Sequence, residues 1–140
     1  MLPKTIKTFI FISLLAQSCV AQKATDPIGI LKGVIGVYEG NCMPGPGRKP
    51  CEPKPIATEI LITSVSKSYE ESLLVKKVKS NKDGIYETNL PPGTYSLFLR
   101  DDDQVVCTLI QCPTTCICLP FKISNDSTTV IDANLDHATW

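Results

Sequence analysis

Four of the chain's seven cysteines fall close together, as Cys107, Cys112, Cys116 and Cys118, and two more, Cys42 and Cys51, bracket the run MPGPGRKP. Thiolates at these spacings have two chemistries open to them. Soft sulfur ligands suit zinc or copper, which would make this a cysteine-rich metal-binding protein. Oxidation to disulfides is the other course, and an oxidising compartment favours it. No histidine lies near the cluster to complete a metal site, so the six cysteines are read as a disulfide framework, with no metal and no cofactor. If Pro113-Thr114-Thr115 is the tip of a hairpin, Cys112 and Cys116 flank it directly and could bridge across. A Cys42–Cys51 bond would close the loop between them and stabilise the fold by about 2–3 kcal/mol through the unfolded state. Either of these cysteines could instead pair with the C-terminal cluster, so connectivity stays open. The same loop carries Arg48 and Lys49 among prolines. Proline stiffness lowers the entropy lost on binding, which makes the two cations candidate binding residues against a purely structural closure.

Other chemistry is thinner. His137, the only histidine, follows Asp136, and an Asp-His pair beside a nucleophile is the core of many hydrolases. Serine and threonine are plentiful, but no motif places one near it. A secreted hydrolase using His137 is therefore an alternative, and no catalytic residue is assigned. Asp101-Asp102-Asp103 could suggest calcium, yet consecutive residues point in different directions and the spacing matches no calcium loop; a solvated turn is expected. Trp140, the one tryptophan, either caps the fold or contacts a partner.

Compartment follows from the N-terminus. Lys4 and Lys7 precede the apolar run Phe9–Ala16. That run is short of the roughly 20 apolar residues a spanning helix needs, and basic start, apolar core and small residues form a secretory signal pattern over residues 1–18. Cys19 in LLAQSC resembles the lipobox of bacterial lipoproteins, where the cysteine thiol receives a diacylglycerol. Gln17 and Ser18 stand where small residues are usual, and cleavage after Ala21 is the rival reading. The expected organisation is a leader over 1–18, a lipidated tether over 19–28 and one domain over 29–140. A lipid anchor would hold the protein at the cell envelope, on the outer membrane facing periplasm or exterior; without it the protein would be secreted. Basic and acidic residues balance at fourteen each, and loss of Lys4 and Lys7 leaves a net charge of about −2. Nucleic acid, bound chiefly through phosphate neutralisation, is an unsuitable partner.

The elements that must hold these residues are strands. Leu31, Gly33, Ile35 and Val37 share parity in a first strand at 29–38. Five prolines in residues 41–55 exclude helix or central strand there. ATEILITSV is a second strand and SLLVKKVKS a third, although SYEESLLVKKV also reads as a helix. Asn81–Gly84 is a turn signal. Tyr86, Thr88 and Leu90 share one face after it; Pro91-Pro92-Gly93 reverses the chain; Tyr95, Leu97 and Leu99 share a face on the return. QVVCTLIQ and CICLPFKIS read as a further pair, and STTVIDANLD as the last strand. Short strands punctuated by Gly, Pro, Asn and Asp indicate an all-β sandwich.

The run Asp83-Gly84-Ile85-Tyr86, followed by Leu90-Pro91-Pro92-Gly93-Thr94-Tyr95-Ser96-Leu97, resembles the carboxypeptidase regulatory-like, or transthyretin-like, domains. Gly33-Val34-Ile35 is similar to the GxV that starts their first strand, and Lys54-Pro55-Ile56 to Ile62 to their proline-led second strand. The resemblance covers residues 29–100 and leaves out the cysteine-bearing segment. It implies a seven-stranded prealbumin-like sandwich with Tyr86 and Tyr95 packed inward. Two enzymes of prealbumin-like fold, hydroxyisourate hydrolase and the intradiol dioxygenases, resemble sites with several histidines, which one histidine cannot build. The expected function is a non-catalytic envelope or surface module for binding or structure, with a protein or polysaccharide partner.

Overall fold

The computed structural model describes residues 25–112 and 114–140. The leader, Cys19, most of the tether and Pro113 lie outside the described residues.

Twelve strand segments make the fold of the described residues. The first, β1 (Gly29–Asn41), is the longest and organises one sheet. Its buried residues alternate through Leu31, Gly33, Ile35 and Val37 while Lys32 and Val34 face solvent, the period-2 signature of a half-buried strand. A two-residue segment, β2 (Lys54–Pro55), pairs antiparallel with the second half of β1. Next come β3 (Glu59–Ser64), a single 3-10 turn at Glu71–Leu73, and β4 (Leu74–Lys79). The helical reading of SYEESLLVKKV is thus realised only in that turn. Leu74 and Val78, half-buried in β4, settle the rest as strand.

The Pro-Pro-Gly hairpin supplies β5 (Ile85–Leu90) and β6 (Gly93–Asp101), but its two arms separate into different sheets. β5 pairs antiparallel with the first half of β1, whereas β6 pairs with β3. Asp102 and Asp103 form the tight turn into β7 (Gln104–Val106), which returns along the end of β6. QVVCTLIQ and CICLPFKIS do not pair along their length. Only β8 (Ile110–Gln111) and β9 (Ile117–Cys118) join each other, and β10 (Pro120–Ile123) goes to the start of β6. Leu119, at φ 30°, breaks the run between β9 and β10. The last stretch is likewise divided, into β11 (Thr128–Val130) and β12 (Ala133–Thr139). Both run parallel to β1 in one continuous register, Ile30 opposite Thr128 and Ile35 opposite Ala133. They therefore occupy the same edge of β1 in succession, and β5 and β2 share the other. The second sheet runs β4, β3, β6, with β10 and β7 sharing its far edge. The architecture is an all-β sandwich, three strand positions against four.

Two features of its packing matter. Cross-strand partners share a face, so Ile60, Ile62, Leu97 and Leu99 line one side of the second sheet, and Leu61, Thr63, Ser96 and Phe98 the other. All eight are buried. The second side is covered by Tyr69, edge-on to Phe98 with ring centroids 5.9 Å apart, and by Ser66, which exchanges hydrogen bonds with the Ser96 hydroxyl. On β1, a Cβ at Gly33 would overlap the Ile131 carbonyl, so the link between β11 and β12 needs glycine there. The Tyr86 hydroxyl donates to that same carbonyl at 2.7 Å. The exposed edge β4 carries Lys76, Lys77 and Lys79, charges that discourage pairing with another chain's strand.

Three disulfides, Cys42–Cys51, Cys107–Cys118 and Cys112–Cys116, complete the framework. They use all six cysteines of the domain and belong to the chemistry of an oxidising, extracytoplasmic compartment.

Candidate functional site

At the end of β1 a disulfide-closed loop and the last residue, Trp140, form a surface recess. Asn41 closes the strand, and its side-chain oxygen accepts from the Met43 N–H at 3.0 Å, turning the chain outward. The Cys42 N–H donates to the Thr139 carbonyl at 2.8 Å, so the loop leaves from the end of β12. From there Pro44, Gly45 and Gly47 make a stiff turn, with the Arg48 N–H on the Gly45 carbonyl at 3.2 Å, and the Cys42–Cys51 bond returns the chain to its base. Arg48 folds back so that its guanidinium donates to the Met43 carbonyl at 3.3 Å.

Facing the loop stands Trp140. Its indole N–H lies 2.8 and 2.9 Å from the two Asp136 carboxylate oxygens, and its ring meets Tyr38 edge-on with centroids 5.7 Å apart. Tyr38 and Asp136 are cross-strand partners on the outward face of β1 and β12, which explains how three residues far apart in sequence converge. Between the loop and the indole runs a groove of about 570 Å³. Met43, Arg48, Lys49 and Trp140 are its exposed walls, Trp140 with 57% of its surface free. Among the described residues neither Arg48 nor Lys49 makes an ion pair. Lys54, at the loop's exit, is spent on Glu39 at 3.3 Å.

His137 lies elsewhere. Adjacent strand residues point to opposite faces, so Asp136 turns to Trp140 while His137 turns to Asp101. The histidine Nε2 sits 3.0 and 2.9 Å from the two Asp101 oxygens, tying β12 in one sheet to the end of β6 in the other. Hydrogen bonding to Asp101, reinforced by that residue's charge, raises the His137 pKa above its ordinary value. Among the described residues no hydroxyl bonds to the ring, so the adjacent Asp136-His137 pair of the sequence is not a catalytic dyad in space. The acidic run is divided too, Asp101 on His137 and Asp102, at φ 51°, in the β6–β7 turn. Cys107, Cys112, Cys116 and Cys118 have their sulfurs in disulfides, and among the described residues no cluster of three or more His, Cys, Asp or Glu side chains is arranged to hold a metal.

Sequence spacing pointed to Arg48 and Lys49 but not to the groove they share with Trp140. That groove depends on β12 running parallel to β1 in a register the sequence does not announce. A second recess, of about 360 Å³, lies on the outer face of the first sheet around Val34, Ile85 and Val130. It is more apolar and carries no free cation pair.

No protein-family model matches the chain, and no curated protein matches it either. Among solved structures it is similar to the Bacillus anthracis TIE protein, at 17% identity and a TM-score of 0.40, over 79% of this chain and 16% of that one. It is also similar to GBS52, the minor pilin of Streptococcus agalactiae, at 15% identity and a TM-score of 0.44, over 79% of this chain and 44% of that one. A leucine-rich repeat protein from Bacteroides thetaiotaomicron matches at 12% identity and a TM-score of 0.39, over 80% of this chain and 12% of that one. The chain spans less than half the length of each, and likenesses this distant carry no argument about what it does.

Proposed function

We propose that the mature protein is a non-catalytic binding module of the cell envelope, carried on a lipid at Cys19 and presenting the groove between the Cys42–Cys51 loop and Trp140 to a partner. The single observation behind this reading is the convergence in that groove of a rigid loop with two unpaired cations and an oriented, exposed indole. Ligand sites are concave, with a few convergent polar groups on an apolar wall, and tryptophan and arginine are the side chains most enriched where binding energy concentrates. The signal pattern of residues 1–18 and the lipobox-like LLAQSC support the anchor. The likeness of residues 29–100 to carboxypeptidase regulatory-like domains supports a modular, architectural role. A protein or a polysaccharide is the class of partner such a groove suits.

Trp140 is the chain's only tryptophan, so its emission reports on the groove alone. Titration of the mature protein with soluble envelope oligosaccharides and with short peptides should give a saturable change in that emission for at least one of them. Emission unmoved by every member of both sets would overturn the binding role. A mass spectrum of the mature chain tests the anchor, with a diacylglyceryl addition on Cys19 as the expected result and an unmodified chain starting after Ala21 as the contrary one.

A further inference from the structure

We infer that the groove's ligand is an acidic polysaccharide, a polymer whose sugar rings carry carboxylates, as in a polyuronate. This rests on the binding role proposed above and adds the chemistry of the ligand.

Three observations converge on it. The first is the indole itself. Trp140 is 57% exposed, yet it is fixed by Asp136 at its N–H and by the Tyr38 ring at its side. An apolar plane that is already oriented loses little conformational freedom when something stacks on it. A pyranose ring offers the complement, a face of C–H bonds with hydroxyls confined to the rim. An extended peptide offers a comparable ring face only at proline.

Charge is the second. The loop from Cys42 to Cys51 contains Arg48 and Lys49 and no carboxylate, and among the described residues neither cation is neutralised by an ion pair. Asp136 keeps its charge at the indole N–H, where it also accepts the Ala138 N–H, but among the described residues the side chains lining the groove include Arg48 and Lys49 and no aspartate or glutamate. An anionic ligand is therefore favoured over a neutral one, and a carboxylate matches the planar donor fork of arginine.

Shape is the third. Pro44 and Pro50 stiffen the loop wall, and the volume of about 570 Å³ lies in the range of a small-ligand cleft rather than a flat protein interface.

The test is affinity electrophoresis of the mature chain in gels containing polygalacturonate, fully methyl-esterified polygalacturonate or poly-glutamate. Retardation is expected with polygalacturonate, and much less with the other two. Trp140→Ala should weaken it more than tenfold, the size of effect found for central tryptophans in interfaces. Arg48→Ala and Lys49→Ala should each weaken it about two- to fivefold, as expected for exposed ion pairs. Both cations lie in an exposed loop outside the core, and thermal unfolding serves as the folding control. Equal retardation by the methyl ester, with Arg48→Ala and Lys49→Ala unchanged, would overturn the acidic ligand while leaving the groove as a binding site. Retardation by poly-glutamate equal to that by polygalacturonate would overturn the sugar. No retardation in any gel would overturn the ligand class, and the Trp140 emission titration then judges the binding role separately.

Discussion

Removing one oxygen atom from Tyr86 tests how the last strand is held. Between β11 and β12 the Ile131 N–H still donates to the Lys32 carbonyl of β1 at 2.9 Å, but the Ile131 carbonyl takes the Tyr86 hydroxyl at 2.7 Å as its donor. Tyr86 is 2% exposed, so the Tyr86→Phe variant keeps the ring's packing and withdraws only the donor. Leaving a part-buried acceptor unpaired costs about 1–3 kcal/mol. For a domain of this size that corresponds to a fall of roughly 4–10 °C in melting temperature. The internal control is Tyr95→Phe. That hydroxyl donates to the Pro91 carbonyl at 2.6 Å, but Pro91 sits in an exposed turn where water can replace the donor, and a loss below about 1 kcal/mol is expected. Denaturant unfolding followed by circular dichroism measures both. Burial, with the Asp132 charge nearby, holds the Tyr86 hydroxyl far above the ordinary tyrosine range, beyond the smaller rises at Tyr69 and Tyr95, so the latest step of an alkaline absorbance titration should vanish in the Tyr86→Phe variant. Equal losses in the two variants, or a Tyr86→Phe loss under about 0.5 kcal/mol with the native spectrum intact, would refute the idea that this bond secures the link between β11 and β12.

Three further outcomes follow from the same structure. Gly33→Ala should cost more than about 2 kcal/mol, because its Cβ meets backbone rather than a yielding side chain; chemical denaturation reads this directly. Replacing both Cys107 and Cys118 by Ser should cost about 3 kcal/mol by the loop-entropy argument, measured by unfolding under non-reducing conditions. The His137–Asp101 contact should make stability fall with rising pH. His137 has a raised folded pKa, so its contribution is fully present below the unfolded value of about 6.5 and is lost as pH climbs through the folded value. Proton NMR of the single histidine should place its titration above 6.5, and Asp101→Asn should return it toward the ordinary value; a titration that Asp101→Asn leaves unchanged would contradict the pairing.

Much of this fold was legible in the chain because strand chemistry is local. Alternation in Leu31-Lys32-Gly33-Val34-Ile35 and in Tyr86-Glu87-Thr88-Asn89-Leu90 declares one buried and one wet face, and both strands form as read. Asn81–Gly84 and Pro91–Gly93 turn the chain where their residue types require it. Alternation says nothing about partners, however, and that is where the reading failed. β5 and β6 follow one another across a chain reversal but belong to opposite sheets. The run from Gln104 to Ser124 looked like a long strand pair, yet β7 and β10 are claimed by β6, whose edge offers longer ladders, and only the two-residue β8–β9 pairing survives between them.

What the sequence determined by itself was the class of structure, its buried faces and the oxidisable cysteines, since each follows from a residue's own chemistry or its near neighbours. Tertiary structure alone decided that Cys107 joins Cys118, that His137 answers to Asp101 rather than to Asp136, and that Trp140 stands over Arg48 and Lys49. These are meetings between residues distant in sequence. They depend on the register of β12 along β1 and on the facing of two sheets, quantities set by the packing of the whole core and carried by no single stretch of it.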